Sequence, residues 1–404
     1  MLQAFHSEPA IRHAVLSIGA IHNYMIDIGD SDRNVSEKHL LYAEKNYVLG
    51  LGEARKLIAG ASQSRMNRVL IVCVLFILWE GMRGNYAASK SHMESGRALL
   101  NRFWFQTKGQ ANTQNHLSDI LQVFARVDIS AITFSDSSAP YSYSLPDLFS
   151  IGADFQLEPF DSLQQASSVL MEIVRWMLML GNEAVMEFES GGSDQSSDLA
   201  TAMANCKHHI KDWGTHWDVW VAKYSHTSAS IPVLNVKLWQ TTAKLMIDAG
   251  FAGPECRYDA HEEEFSQVVD LAELLSNAIA DEPEISTSFS LDLGYIVPTF
   301  YAATRCRDPD VRRRAVDVLQ LQPRHEGAWQ SIPAAVICER WIKVEEEGLS
   351  IPFPACQVTE ARRVSTMDVE VLQQQRLAKL RFHVSGEANG SVPAHVREET
   401  VNWE

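Results

Sequence analysis

Apolar residues recur along this chain every three or four positions, and the pattern breaks where proline, glycine and short polar runs fall. Ile11, Ala14, Val15, Ile18, Ile21 and Met25 set the first such stripe, with Ser7 as a cap and Pro9 in the first turn, where its missing donor costs nothing. Ala14, Gly19 and Ala20 on that helix would let another helix approach closely. A second amphipathic segment covers Ser36 to Leu57. Val69 to Trp79 is apolar on every side and therefore predicts a helix at the centre of a large core. A further face runs through Ile120, Leu121, Phe124 and Val127, followed by a proline-bounded loop over Ser137 to Pro146.

The spacing next predicts a helix over Leu163 to Phe188, a flexible loop at Ser190 to Asp194, and a helix that Asp198 can cap. In that helix Leu199, Met203, Cys206, Ile210, Trp213, Trp217 and Trp220 alternate steps of four and three as a packing seam. Helices over Pro232 to Ala249 and Tyr258 to Ile279 follow, and Asp308 with Pro309 opens another, as N-cap and first helical residue. No long two-residue alternation stands out. The expected class is all-α, a large multi-helix array over residues 1–355, and the expectation for 356–404 is one amphipathic helix at Asp368 to Phe382 and a mobile tail from Ser385.

Composition leaves that class unchanged. Hydrophobic residues make up 46% of the 404 and charged residues 21%, ordinary values for a globular chain. The formal charge of -16 repels a phosphate backbone, which disfavours direct nucleic-acid binding by these residues alone. The six cysteines are far apart, with no pair at structural-zinc spacing, and fit a reducing compartment. The N-terminus lacks the features of a signal peptide, and Val69 to Trp79 is short of the roughly 20 apolar residues that span a bilayer. Asn34-Val35-Ser36 and Asn389-Gly390-Ser391 match the glycosylation pattern but carry no weight without a secretory signal.

Several polar groups could carry chemistry, and each has a structural reading beside the functional one. Glu80 and Arg83 share a helical face and could anchor a ligand, or simply form an ion pair that closes a helix end. Arg305, Arg307, Arg312, Arg313 and Arg314 could bind phosphate. The interleaved Asp308, Asp310 and Asp317 instead favour a solvated, salt-bridged face. Arg324, His325 and Glu326 place an imidazole beside a carboxylate, as proton transfer requires. They also suit a tight turn in which Glu326 and Arg324 cap helices while Gly327 supplies an unusual backbone angle.

His208, His209 and His216 share a helix with Asp212 and Asp218, but their spacing does not surround a shared ion, so no metal and no cofactor is expected. Trp213, Trp217 and Trp220 could line an aromatic pocket, though at helical spacing they suit a core. Phosphate loops, dinucleotide fingerprints, nucleophile elbows, zinc-protease pairs and kinase motifs are all absent from the sequence.

Four blocks together resemble the regulatory, or middle homology, domain of fungal binuclear zinc-cluster transcription factors. They are Glu8 to Ala20, Cys73 to Tyr86, the aromatic-basic-acidic helix Phe124 to Ile129 containing Asp128, and Cys306 to Pro309 continued through Arg324 to Trp329. The resemblance implies a nuclear regulator acting through other transcription proteins or a homodimer, perturbed by a small hydrophobic ligand, with no membrane contact. Such factors carry a cysteine-rich DNA-binding module ahead of this domain, whereas Met1 here opens directly on the first regulatory helix. The alternative is a repurposed helical scaffold, localised in the cytoplasm, whose pocket acts as an enzyme, for example a cyclase, on a hydrophobic secondary-metabolite intermediate by proximity and orientation.

Overall fold

The computed structural model describes residues 2–27, 33–59, 66–107, 114–134, 157–190, 197–224, 230–282, 289–372, 375–386 and 393–403. The chain forms two compact units, Met1–Val127 and Asp128–Glu404. The expected loop at Ser137 to Pro146, the glycine-rich turn after Ser190 and the glycosylation pattern at Asn389 lie outside the described residues.

In the first unit the helices are α1 (Leu2–Ser7), α2 (Pro9–Asp27), α3 (Arg33–Ala59), α4 (Met66–Met82), α5 (Tyr86–Thr107) and most of α6 (Gln114–Thr133). The Arg12 guanidinium ties α1 to α2 by donating to the carbonyls of Phe5 and His6 at 3.3 and 2.8 Å. α2 and α3 pack through small buried residues, Ala10, Ala14 and Ser17 facing Ala43 and Ala54, and the Ser17 hydroxyl donates to the Ala43 carbonyl at 2.6 Å. Gly50, not Gly19, supplies the close approach: a Cβ there would lie 3.4 Å from the Phe76 ring and 3.5 Å from the Ala14 nitrogen, while one at Gly19 meets nothing within 4 Å. α4 is buried from Met66 to Met82 around much of its circumference, as an all-apolar helix requires.

The second unit starts with the last turns of α6 and continues through α7 (Leu163–Glu189), α8 (Ser197–Lys223), α9 (Ile231–Ala249), a 3₁₀ turn (Glu255–His261) and α10 (Glu262–Ala280). Next come the short β1 (Phe289–Ser290), α11 (Ile296–Arg305), α12 (Pro309–Gln320), β2 (His325–Glu326), β3 (Trp329–Gln330) and α13 (Ser331–Glu345). Local capping follows the sequence: Ser162 Oγ accepts from Gln165 N at 3.2 Å at the start of α7, and Asp308 Oδ1 accepts from the amides of Asp310 and Val311 at 3.0 and 2.8 Å at the start of α12.

The architecture is mostly helical with only small sheets, as the expected class has it, and the departure is confined to the C-terminal residues. Residues expected to form a C-terminal amphipathic helix and mobile tail form an antiparallel sheet instead, β4 (Val364–Leu372), β5 (Leu377–Val384) and β6 (His395–Asn402), in that order. Val369, Leu372, Leu377 and Leu380 fit a helical spacing, but Ala378, Leu380, Phe382 and Val384 alternate strictly, and the four are buried while Lys379 and Arg381 are exposed. The charged face pairs across strands, Lys379 with Glu370 at 3.0 Å and Arg381 with Glu398 at 3.0 Å.

The sheet forms because α13 is apolar on two sides. Ala334, Ala335, Cys338 and Ile342 join the helical core, whereas Ile337, Trp341 and Val344 meet Val364, Leu380, Phe382, Val384 and Trp403. The Phe382 ring stands edge-on to Trp341 at 5.9 Å and 82°. Phe382→Ala is therefore expected to destabilise the second unit by about 3–5 kcal/mol, and Thr366→Ala on the outer face by less than about 0.5 kcal/mol. Urea midpoints of the two variants check this.

Candidate functional site

The Arg324, His325 and Glu326 trio lies on a small three-stranded ribbon, where β2 pairs parallel with β1 and antiparallel with β3. Gly327 at φ 62° closes the turn, and Ser130 and Thr133 on the last turn of α6 hold it by accepting from Ala328 N at 2.8 Å and from the Trp329 indole at 3.0 Å. The Glu326 carboxylate is fully buried. Its Oε2 accepts from Gly294 N at 2.9 Å and Ile296 N at 3.1 Å, and its Oε1 accepts from Arg324 Nε at 2.7 Å. It thus caps the N-terminus of α11, where the helix dipole favours an anion. Any side chain at Gly294 would collide with it.

His325 turns away from this carboxylate toward Phe289, with ring centroids at 6.4 Å, and its Nδ1 is buried with no hydrogen-bond partner among the described residues. Burial lowers its pKa to about 4, so the imidazole is neutral near pH 7. The neighbouring Tyr295 hydroxyl is pushed up to about 12, first by burial and then by the Glu326 charge. Of the two readings of this trio, the helix-capping turn describes the geometry.

The densest charge constellation lies where α11 and α13 end and α12 begins. Glu345 is wholly buried; its Oε1 accepts from Arg307 Nη2 at 2.8 Å, Val364 N at 2.8 Å and the Trp341 indole at 3.1 Å. Its other oxygen lies 2.8 Å from Arg312 Nη2. Burial pushes the Glu345 carboxyl up, but Arg307 and Arg312 outweigh it and hold the group below the usual carboxylate range. Glu255 on the 3₁₀ turn pairs with Arg305 at 2.7 Å and Arg307 at 3.4 Å, and Arg305 Nη1 also donates to the Ser365 carbonyl at 3.1 Å.

A second strap is bidentate: Arg363 donates to both oxygens of Asp259 at 2.7 and 2.9 Å. A third has the Glu360 carboxylate accepting from the amides of Glu255 and Cys256 at 2.8 Å each.

This overturns the expected solvated arginine face in part. Arg313 and Arg314 do form surface pairs, with Glu346 at 2.6 Å and with Asp270 and Glu273 at 2.6 and 2.7 Å. Arg307 and Arg312 are instead buried, and their counterions are glutamates distant in sequence, not the interleaved aspartates. A buried guanidinium cannot be left unpaired, so the partner had to come from another element. Glu255, Asp259, Glu345 and Glu360 carried no signal of their own, because Glu345 to Glu347 reads as a solvated run unless a sheet covers its first member.

The other candidates are apart from this clamp. Glu80 does not pair with Arg83. Its Oε1 accepts from the Tyr47 hydroxyl and its Oε2 from Asn85 Nδ2 at 2.8 Å, while Arg83 reaches Glu44 at 3.0 Å and stacks on Trp79 at 4.9 Å. Tyr47 lies flat on Trp79 at 3.8 Å and contacts His92 Nε2 at 3.0 Å; burial, then the Glu80 carboxylate, raises the phenol well above its usual range. Asp128 is buried against Arg175 at 2.7 Å and joins α6 to α7. Trp213, Trp217 and Trp220 stack at 5.3 Å steps inside the core, and the Trp213 indole donates to the Ala166 carbonyl at 3.0 Å. An open groove of about 560 Å³ lies between α12 and α13, with Val316, Ile342, Leu349 and Ile351 as its apolar surface and Arg313 and Glu346 on its wall.

Among the described residues no group of three or more His, Cys, Asp or Glu could hold a metal ion, and no helix is long and apolar enough to cross a membrane. The sequence profile of the fungal specific transcription factor domain matches residues 1–322. The chain is 20% identical over 417 residues to the aspercryptin biosynthesis cluster-specific transcription regulator atnN of Emericella nidulans, covering 82% of this chain and 67% of that protein. It is 23% identical over 107 residues to the transcription regulator lscL of Purpureocillium lilacinum, 26% of each chain. No solved structure matches.

Two outcomes follow from the geometry. Glu345→Gln removes the nearest counterion of buried Arg307 and Arg312, leaving only the longer contacts to Glu255 and Glu346, and is expected to cost about 3–5 kcal/mol, measured by urea unfolding, with faster proteolysis of the C-terminal sheet. His325 is neutral when folded but protonates below about 6.5 when unfolded, so unfolding takes up a proton between pH 6.5 and about 4. Stability attributable to this residue is complete above 6.5, declines as pH falls to about 4 and is about 3 kcal/mol in all. Unfolding free energies at pH 7 and pH 4.5 should differ less in a His325→Phe variant than in the parent.

Proposed function

Because the chain belongs to the fungal specific transcription factor domain family, we propose that it controls transcription of a secondary-metabolite gene cluster as a non-catalytic module in the nucleus. The observation that carries this reading is the family match over residues 1–322, a fungal specific transcription factor domain by description. Its relatives' names, one of them that of a biosynthesis-cluster regulator, support the cluster assignment. The polar geometry agrees with it: Glu326 is committed to the α11 cap, Glu345 to Arg307 and Arg312, and Asp128 to Arg175.

DNA recognition, on this reading, is supplied by a partner protein or by sequence outside these residues, since a charge of -16 opposes phosphate contact. Signals reach partners through displacement of packed helices between discrete arrangements. The groove between α12 and α13 gives a small apolar effector a route to the clamp, because Arg313 and Glu346 line the groove and Glu346 also lies 3.5 Å from Arg312.

A deletion strain is expected to lose transcripts of a linked set of biosynthetic genes, and reintroducing the chain restores them. A fluorescent fusion is expected in the nucleus. Unchanged transcripts across the genome in the deletion strain would refute the regulatory assignment.

A further inference from the structure

The structure assigns Ser365 as a phosphate-acceptor site for a basophilic serine kinase, whose product loosens the C-terminal sheet from the helical body. Ser365 is the one serine or threonine in the chain with arginine at both the second and the third position before it, Arg363 and Arg362. Kinases that select substrates by charge hold such guanidinium groups on their own carboxylates while the hydroxyl meets the γ-phosphate of ATP. The motif gains its meaning from where the fold puts it.

Ser365 stands near the start of β4, an edge strand of the sheet, so its strand is paired on one side only. Val364 pairs with Val384 and Thr366 with His383, which leaves Ser365 as an extra residue bulged out of the ladder. Its hydroxyl, half-buried, donates to the His383 carbonyl at 3.1 Å. Both arginines of the motif are occupied while the sheet is docked. Arg363 is 2% exposed, bidentate on Asp259 and bonded through Nε to the Val358 carbonyl at 2.8 Å, and Arg362 Nη1 donates to the Glu347 carbonyl at 2.7 Å. The residues that strap the sheet down are thus the residues the kinase reads, and one side chain cannot serve both. Ser365 is modified from conformers in which this edge has opened locally.

Transfer forms a bond from Ser365 Oγ to the γ-phosphorus of ATP and breaks the bond from that phosphorus to the β,γ-bridging oxygen. ADP leaves with the electron pair, and the hydroxyl proton passes to the catalytic carboxylate of the kinase. The product no longer suits the docked geometry. Phosphoryl oxygens, which chiefly accept, replace the donor to the His383 carbonyl and bring about two negative charges at pH 7. The adjoining Val364 amide rests on the Glu345 carboxylate at 2.8 Å. Arg305, which donates to the Ser365 carbonyl at 3.1 Å, is already paired with Glu255 at 2.7 Å. Repulsion from Glu345 and the lost hydrogen bond both favour the opened edge. The inference goes beyond the regulatory reading and stands without it.

Incubating the full chain with Mg-ATP and the catalytic subunit of cyclic-AMP-dependent protein kinase, which has this arginine preference, tests it, with the site read by mass spectrometry. The expected result is phosphate at Ser365 of the parent chain and a sharp fall in total incorporation for S365A. D259N, which frees Arg363 and keeps the motif, is modified roughly threefold faster than the parent. R363A breaks the same strap but removes a guanidinium the kinase reads, and is modified more slowly than the parent. Limited proteolysis cuts between Val364 and Asn402 severalfold faster in the phosphorylated chain than in the unmodified one, with helical circular dichroism unchanged. A parent chain without phosphate at Ser365, an R363A chain modified as fast as D259N, or a phosphorylated sheet that resists protease as well as the unmodified one overturns the proposal.

Discussion

The second unit depends on one buried carboxylate. Glu345 closes α13 and receives the Arg307 and Arg312 guanidinium groups, the Trp341 indole and the first amide of β4. A carboxylate, two guanidiniums and a strand end could not each be dehydrated separately, since an isolated buried ion costs several kcal/mol. Collected at one point they neutralise and solvate one another, and that is possible only when α11, α12, α13 and β4 are all in place. The charges therefore act as a registration device: they specify which ends meet, while the adjoining apolar contacts supply most of the attraction.

That division of labour explains how a sheet is attached to a helical body. The outer side of α13, with Ile337, Trp341 and Val344, offers an apolar surface that many arrangements of β4 to β6 could cover. The Arg363–Asp259 pair, the Glu360 bonds to the Glu255 and Cys256 amides, and the Val364 amide on Glu345 remove that freedom within the stretch from Glu360 to Val364. The family profile ends at residue 322, so Glu255, Arg305, Arg307 and Arg312 fall inside the matched region and Glu345, Arg363 and Val364 beyond it. One set of charges crosses that limit, and the C-terminal sheet is bonded to the regulatory fold at its own arginines.

What the sequence discloses follows from the range of each interaction. Helices, caps and the central α4 depend on neighbours within a few residues, and Asp308, Pro309 and the run from Val69 to Trp79 announce them. The capping role open to Glu326 was readable for the same reason, with Arg324 two positions away and Gly327 at the turn. The partners of buried charge are set by tertiary distance: Glu345 lies 38 positions from Arg307, and Glu80 lies 33 from Tyr47. No local pattern contains such a pairing. The C-terminal strands were obscured differently, because Leu377 and Leu380 keep a helical spacing and only the full alternation from Ala378 to Val384 outweighs it.

Glu326 and Glu345 perform opposite versions of one task. Glu326 neutralises the N-terminus of α11, and Glu345 neutralises arginines gathered around the C-terminal ends of α11 and α13, so α11 is held by anions at both extremities. Between them the helix carries Ala302, Ala303 and Thr304 buried in the core and has little room to slide. Loss of either anion therefore leaves one end of α11 without its compensating charge. The groove beside Glu346 sits on this same network, which makes the end of α13 the point where contact from outside bears most directly on the buried charges.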